Sequence, residues 1–165
     1  MRVTIPAGST SSPTDVGLQT GTVAGTITIS ARLTAANQDI TPAPPPTRTV
    51  RINPTAPVIT SITATRNGSG FTVIVVGYSS SREMTQAAFT FTAAAGSNLQ
   101  TTTATIPVDS IFAQWFGSTA ASGFGGQFTF TQSFTVTGNP QAIASVSVIL
   151  TNRIGNSNSG SATVQ

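Results

Sequence analysis

The sequence predicts an all-β protein: an antiparallel β-sandwich of about seven strands with one short crossover helix, preceded by a partial β module. Three observations carry this expectation. Apolar and polar residues alternate with a period of two in stretch after stretch, and turn residues separate the stretches at sandwich spacing. Charged residues are 7% of the 165, against roughly 25% in an average domain, so hydroxyls and amides must build the surface. Intrinsic disorder needs high charge and low hydrophobicity, and this composition has neither.

Between Gly21 and Leu33, Thr22, Ala24, Thr26, Thr28 and Ser30 alternate with Val23, Gly25, Ile27, Ile29 and Ala31, which predicts a half-buried strand with a threonine face. Residues 3–5 and 49–52 are its candidate partners. Three short strands make a thin sheet that needs another surface over its apolar side. The proline-rich segment 42–46, followed by Pro54 and Pro57, favours extended polyproline geometry and cannot lie inside a central strand. The chain therefore divides into a partial β module, 1–52, and a sandwich domain, 55–165.

In the second part the expected strands are 58–65, 71–78, 87–93, 101–106, 127–136, 144–151 and 161–164. Asn67 and Gly68 mark a hairpin between the first two, because both tolerate positive φ. Phe89 with Phe91, Phe128 with Phe130, and Val146, Val148 and Leu150 form two-residue stripes, the inner faces of the two sheets. Residues 107–117 break the pattern. Asp109 or Ser110 suits a helix start, Ile111, Phe112, Trp115 and Phe116 fall on one helical face, and Gly117 ends it. Core packing is the simpler reading of these aromatics. The functional alternative is a platform of Phe112, Trp115, Phe116 and Phe124 on which sugar rings stack.

The chain contains no His, no Cys and no Lys, and only four carboxylates, Asp15, Asp39, Glu83 and Asp109. Most enzymes move protons, attack carbonyls or hold metals with those side chains, so the composition predicts no enzyme and no cofactor. A serine nucleophile would have no His or Lys base. Glycoside hydrolysis by Glu83 and Asp109 would need the two carboxyls facing each other across an open cleft. The scattered acids predict no calcium site. Arg82, Glu83 and Asp109 are candidates for a surface ion pair. The high isoelectric point, 11.2, reflects scarce acid, since the net charge is only +3. The seven arginines form no basic run interleaved with aromatics, so no nucleic-acid partner is expected. No stretch approaches the roughly 20 apolar residues of a membrane span, and the first residues lack a secretory signal's apolar core.

The closing stretch from Val146 to Ala162 places Asn152 at the end of a strand, Gly155 in a turn, and Ser157, Ser159 and Ser161 before the last strand. It is similar to the final hairpin of immunoglobulin-like and fibronectin type III-like domains. Residues 55–165 resemble the Ig-like modules repeated in large, Thr-rich secreted proteins of soil bacteria such as acidobacteria, and 1–52 resembles the closing strands of a preceding module. The phrase Ile5-Pro6-Ala7-Gly8-Ser9-Thr10 is similar to strand-to-turn segments of bacterial Ig-like repeats. The chain lacks the cysteine pair of antibody-type domains, and without lysine it cannot form the Lys–Asn isopeptide staple of some surface Ig-like domains.

The resemblance implies a non-catalytic structural or spacer module of a secreted or cell-surface protein, a piece of a longer chain, whose partners are neighbouring modules of the same parent. Two further expectations stand beside it. One is a carbohydrate-binding or adhesion module with a polysaccharide partner, using Trp115 and its aromatic neighbours. The other is a self-assembling fibre or surface-layer subunit, in which the N-terminal strands add to a neighbour's sheet.

Overall fold

The computed structural model describes residues 2–165. Seven of its strands form two facing antiparallel sheets. One sheet holds β5 (Val58–Asn67), β6 (Gly70–Tyr78) and β9 (Gln127–Thr135) in the order β5-β6-β9. The other holds β7 (Gln86–Ala93), β8 (Thr103–Pro107), β10 (Ile143–Thr151) and β11 (Gly160–Thr163) in the order β11-β10-β7-β8. Hairpins join β5 to β6, β7 to β8 and β10 to β11, whereas the β6–β7, β8–β9 and β9–β10 connections cross between sheets. All seven expected strands form, within a few residues of their expected ends. The first hairpin turns on Gly68 and Ser69, pairing Asn67 with Gly70, one residue later than the expected Asn67–Gly68 turn.

Between the sheets the expected stripes meet. Within the four-stranded sheet Phe89 pairs with Val148 and Phe91 with Val146, and within the three-stranded sheet Phe128 and Phe130 pair with Gly77 and Val75; all except Gly77 belong to the one buried apolar core that both sheets share. The interior is layered. Phe71, Phe89, Phe91 and Phe134 cluster at the pole of the β5–β6 turn, with ring centroids 4.9–5.8 Å apart. Phe112, Phe116, Phe128 and Phe130 fill the opposite pole. Gly77 makes room for the second layer: a Cβ there would overlap the Val58 carbonyl oxygen and sit 3.0 Å from Cζ of Phe128. Gly77→Ala is expected to destabilise the fold by about 2 kcal/mol through overpacking; an unchanged denaturation midpoint would show that β5 can yield at this point.

One lateral side of the sandwich is sealed. Ala64 of β5 bridges Val164 in parallel, the N–H of Gln165 donates to Ala64 O, and the N–H of Arg66 donates to Gln165 O. Near the other end of β5, the Asn158 side chain imitates a strand. Its Oδ1 accepts from the Ile59 N–H at 2.9 Å and its Nδ2 donates to Ile59 O at 3.0 Å. The unpaired groups that make an edge strand sticky are thereby occupied.

The helix α1 (Asp109–Gly117) lies in the β8–β9 crossover, as expected. Its cap differs from the sequence reading. The N-cap is Val108, with no side-chain cap, and Asp109 is the first helical residue. Phe112 and Phe116 are buried, but Ile111 is 48% exposed and does not share their face. The expected ion pair also differs: Glu83 binds Arg153 at 3.2 Å. Arg82, whose φ is +54°, instead donates to the Phe116 carbonyl and lies over the Phe116 ring. This places a cation at the negative end of the helix dipole.

Residues 2–23 contain no helix or strand and expose Val3, Ile5, Val16 and Leu18. The expected strand at 3–5 is absent, while 49–52 does pair. β1 (Gly25–Ser30) and β4 (Thr47–Ile52) form a two-stranded ribbon, with Ile27 opposite Val50 and Gly25 opposite Ile52. The short β2 (Thr34–Ala35) and β3 (Gln38–Asp39) form its tip. The proline-rich segment 42–46 lies inside the ribbon, between β3 and β4. Thr26, Thr28, Ser30, Thr47, Thr49 and Arg51 share one face; the other carries Gly25, Ile27, Ile29, Val50 and Ile52 together with Arg48. On that second face Ile27, Val50 and Ile52 are half-buried, as expected, whereas Ile29 is 41% exposed. The reason is positional: the ribbon roots at the base, where Ala24 N–H donates to Ser80 O, and then packs chiefly on itself. At the tip, the Thr41 hydroxyl and N–H, then the Arg32 guanidinium, hold the Asp39 carboxyl below the usual carboxylate range.

Candidate functional site

Strand parity determines what the three-stranded sheet shows to solvent. Phe71, Val73 and Val75 of β6 point inward, so Val76 and Tyr78 point outward. In β9, inward Phe128 and Phe130 leave Gln127, Thr129, Thr131, Ser133 and Thr135 on the outer face. Adjoining β5 contributes Thr63 and Thr65. None of these side chains is charged. At one end of this hydroxyl-rich face, α1 and the loop after it rise beside β9 and turn a flat surface into a groove of about 430 Å³.

The groove wall is aromatic and held in place. Trp115 is partly buried against the core, and its indole Nε1–H donates to the Gln127 carbonyl at 3.1 Å. That carbonyl faces away from β6 on the open edge of β9, so the bond both fixes the ring and blunts the edge. Phe124 stands across from it, with centroids 6.1 Å apart and planes 40° apart, a tilted V of two rings. The Phe124 side chain is 55% exposed, yet its backbone is fixed: its N–H donates to Ala121 O and its carbonyl accepts from Gln127 N–H. The loop is further tied by Ser118 Oγ to Trp115 O at 2.6 Å and by Gly126 N–H to Thr22 Oγ1 at 3.1 Å. Tyr78, Thr60, Gln127 and Thr129 complete the floor and far side.

No family model, curated protein or solved structure matches the chain. The chemistry of the site must therefore be read from its own side chains. Of the four aromatics singled out in the sequence, Trp115 and Phe124 meet at the groove. Phe112 and Phe116 are 2% and 7% exposed and belong to the core, with no face left for a ligand. Tyr78, Gln127 and Thr129 were not singled out. Parity along β6 and β9 marks them as outward-facing, but only the pairing of those strands beside α1 brings them together.

The remaining polar groups converge less. Arg82, Glu83, Asp109 and Arg153 line a shallow depression of about 230 Å³, below the usual range of small-ligand pockets, about 300–1,000 Å³. It holds two cations and two carboxylates, and Glu83 is already engaged by Arg153. Among the described residues no three metal-ligating side chains come together, and no helix is long and apolar enough to cross a membrane.

Proposed function

We propose that the chain is a non-catalytic structural module of a secreted or cell-surface protein, joined head to tail to neighbouring modules of the same parent. The observation that carries this reading is the path of the chain through the sandwich. It enters at one pole, where Thr55 N–H donates to Ser80 Oγ beside the end of β6, and leaves at the other, where Gln165 pairs with Ala64 and Arg66 at the end of β5. The ten residues of β5 separate these poles by about 33 Å. A sandwich entered and left at opposite ends adds length with every copy.

Two further features support the reading. The two facing sheets of three and four strands, joined by sheet-crossing connections, are compatible with the sandwich that the resemblance implies. The ribbon of β1 and β4 stands at the entry pole and leaves Ile29 exposed, which suits contact with a preceding module. Two copies of the chain joined in tandem test the proposal by small-angle X-ray scattering. An extended particle, longer than a single copy by at least the pole-to-pole distance, is expected; a compact particle of unchanged length would overturn it. Concentration-dependent association of the single chain would instead assign the ribbon to self-assembly.

A further inference from the structure

We propose that the groove between Trp115, Phe124 and Tyr78 binds a neutral oligosaccharide, one sugar ring lying against the two aromatic walls and the rest of the chain along the outer face of β6 and β9. The inference is independent of the tandem-module reading. It rests on what the groove contains and on what it lacks.

Charge comes first. The side chains lining the groove and the outward residues of β6 and β9 carry no charge, so an anionic or cationic polymer finds no partner there and would lose hydration on entry. A ligand suited to this surface is uncharged and rich in hydroxyls. Hydrogen-bonding capacity comes second. The Thr60 hydroxyl donates to Val76 O at 3.0 Å, which leaves its oxygen free to accept. Gln127 and Thr129 are exposed and free to donate and accept.

The third argument is the pair of rings. Phe124 is the most exposed aromatic of the chain at 55%, on a loop tied by backbone hydrogen bonds, and its one aromatic neighbour is Trp115. Opposite it, Trp115 is locked by its Nε1–H, so that wall need not be ordered on binding and the entropic cost of association falls. A sugar ring has apolar C–H faces and a polar rim, and it matches an aromatic V opening onto threonines and a glutamine. The volume, about 430 Å³, lies in the lower half of the range for small-ligand sites.

Trp115 is the only tryptophan, so its fluorescence in the intact chain reports this site alone. Titration with cellohexaose, maltohexaose, mannohexaose and N-acetyl-chitohexaose is expected to give a saturable change in emission for at least one, with Kd at or below about 1 mM. The affinity should hold from low to high salt, because no charge is involved. Phe124→Ala should weaken binding about tenfold, equivalent to about 1.4 kcal/mol, while circular dichroism and the melting temperature stay unchanged, since the loop is held by its backbone. The proposal is overturned if none of the four sugars moves the signal, or if Phe124→Ala binds as tightly as the parent. A response only to hexagalacturonate or to an uncharged peptide would overturn it equally.

Discussion

Phe71→Ala is expected to lower the unfolding free energy by about 4 kcal/mol and the melting temperature by roughly 10–15 °C. Phe71 is wholly buried. Its ring stacks on Phe134 at 5.2 Å and meets the edge of Phe91 at 5.8 Å, while Phe134 also receives Phe89 and Phe91 edge-on. Phe71 and Phe134 belong to the three-stranded sheet, and Phe89 and Phe91 to the four-stranded one. Truncation therefore opens a cavity between two sheets that cannot close on it without shifting as units, so the cavity term adds to the lost transfer energy. Ile74→Ala, on the outer face of the same strand and 38% exposed in the parent, should stay within about 0.5 kcal/mol. Urea denaturation with an unchanged slope checks both. A loss below about 1 kcal/mol for Phe71→Ala would mean that the aromatic layer does not couple the sheets.

Asn152→Ala should cost about 3 kcal/mol without touching an apolar contact. Asn152 is 3% exposed and follows β10 directly. Its Nδ2 donates to Thr55 O at 3.0 Å and to Ser81 Oγ at 3.1 Å. Its Oδ1 accepts from the N–H groups of Ile154 at 2.9 Å and Gly155 at 3.1 Å. All four hydrogen-bonding positions of the amide are in use, and they tie together the entry linker, the β6–β7 loop and the β10–β11 loop. Alanine would strand several partly buried groups at once, which is why the expected loss exceeds that of one hydrogen bond. Asn152→Asp, which keeps the acceptor and loses both donors, should recover the turn but not the linker. Faster amide hydrogen exchange at Thr55 and its neighbours, with Ile154 and Gly155 still protected, would show this split.

Where the sequence carries a strict two-residue period, it and the structure agree. The stripes at Phe89 and Phe91, Phe128 and Phe130, and Val146 to Leu150 face inward because a strand offers only two faces and one of them must leave water. The helix was legible for a similar reason, but its edges were not. Phe112 and Phe116 pack inward, whereas Ile111 falls outside the buried arc, a difference that depends on how α1 sits over the sheet end. The N-cap went to Val108 and not to Asp109 or Ser110, because the preceding strand delivers the chain there: Val108 N–H already bonds Thr85 O. Ion pairing was the least readable. Glu83 meets Arg153, seventy positions away, and no local rule picks that partner over Arg82 or Asp109.

Half of the aromatic site was readable. Trp115 and Phe124 stand out in sequence as a tryptophan on a short helix and a phenylalanine among glycines, and the fold brings them together. Phe112 and Phe116 looked equivalent to them in sequence and are not, since burial depends on which side of α1 meets Phe128 and Phe130. In the N-terminal ribbon the alternation holds for Ile27, Val50 and Ile52, which are half-buried, and fails at Ile29, which is exposed.

By itself the sequence determined that the protein is β-rich, which residues of three of its sandwich strands turn inward, where the helix interrupts, and that the chain is nearly without proton-transferring and metal-binding side chains. These are properties of local periodicity and composition, which need no knowledge of neighbours. Only the tertiary structure decided how the strands pair beyond the first hairpin and the β1–β4 ribbon, that β5 and β11 close one side, that the chain enters and leaves at opposite poles, and that Tyr78, Gln127 and Thr129 join Trp115 and Phe124 in one groove. Each of these depends on contacts between residues far apart in the chain, set by the joint packing of two sheets and by no segment alone.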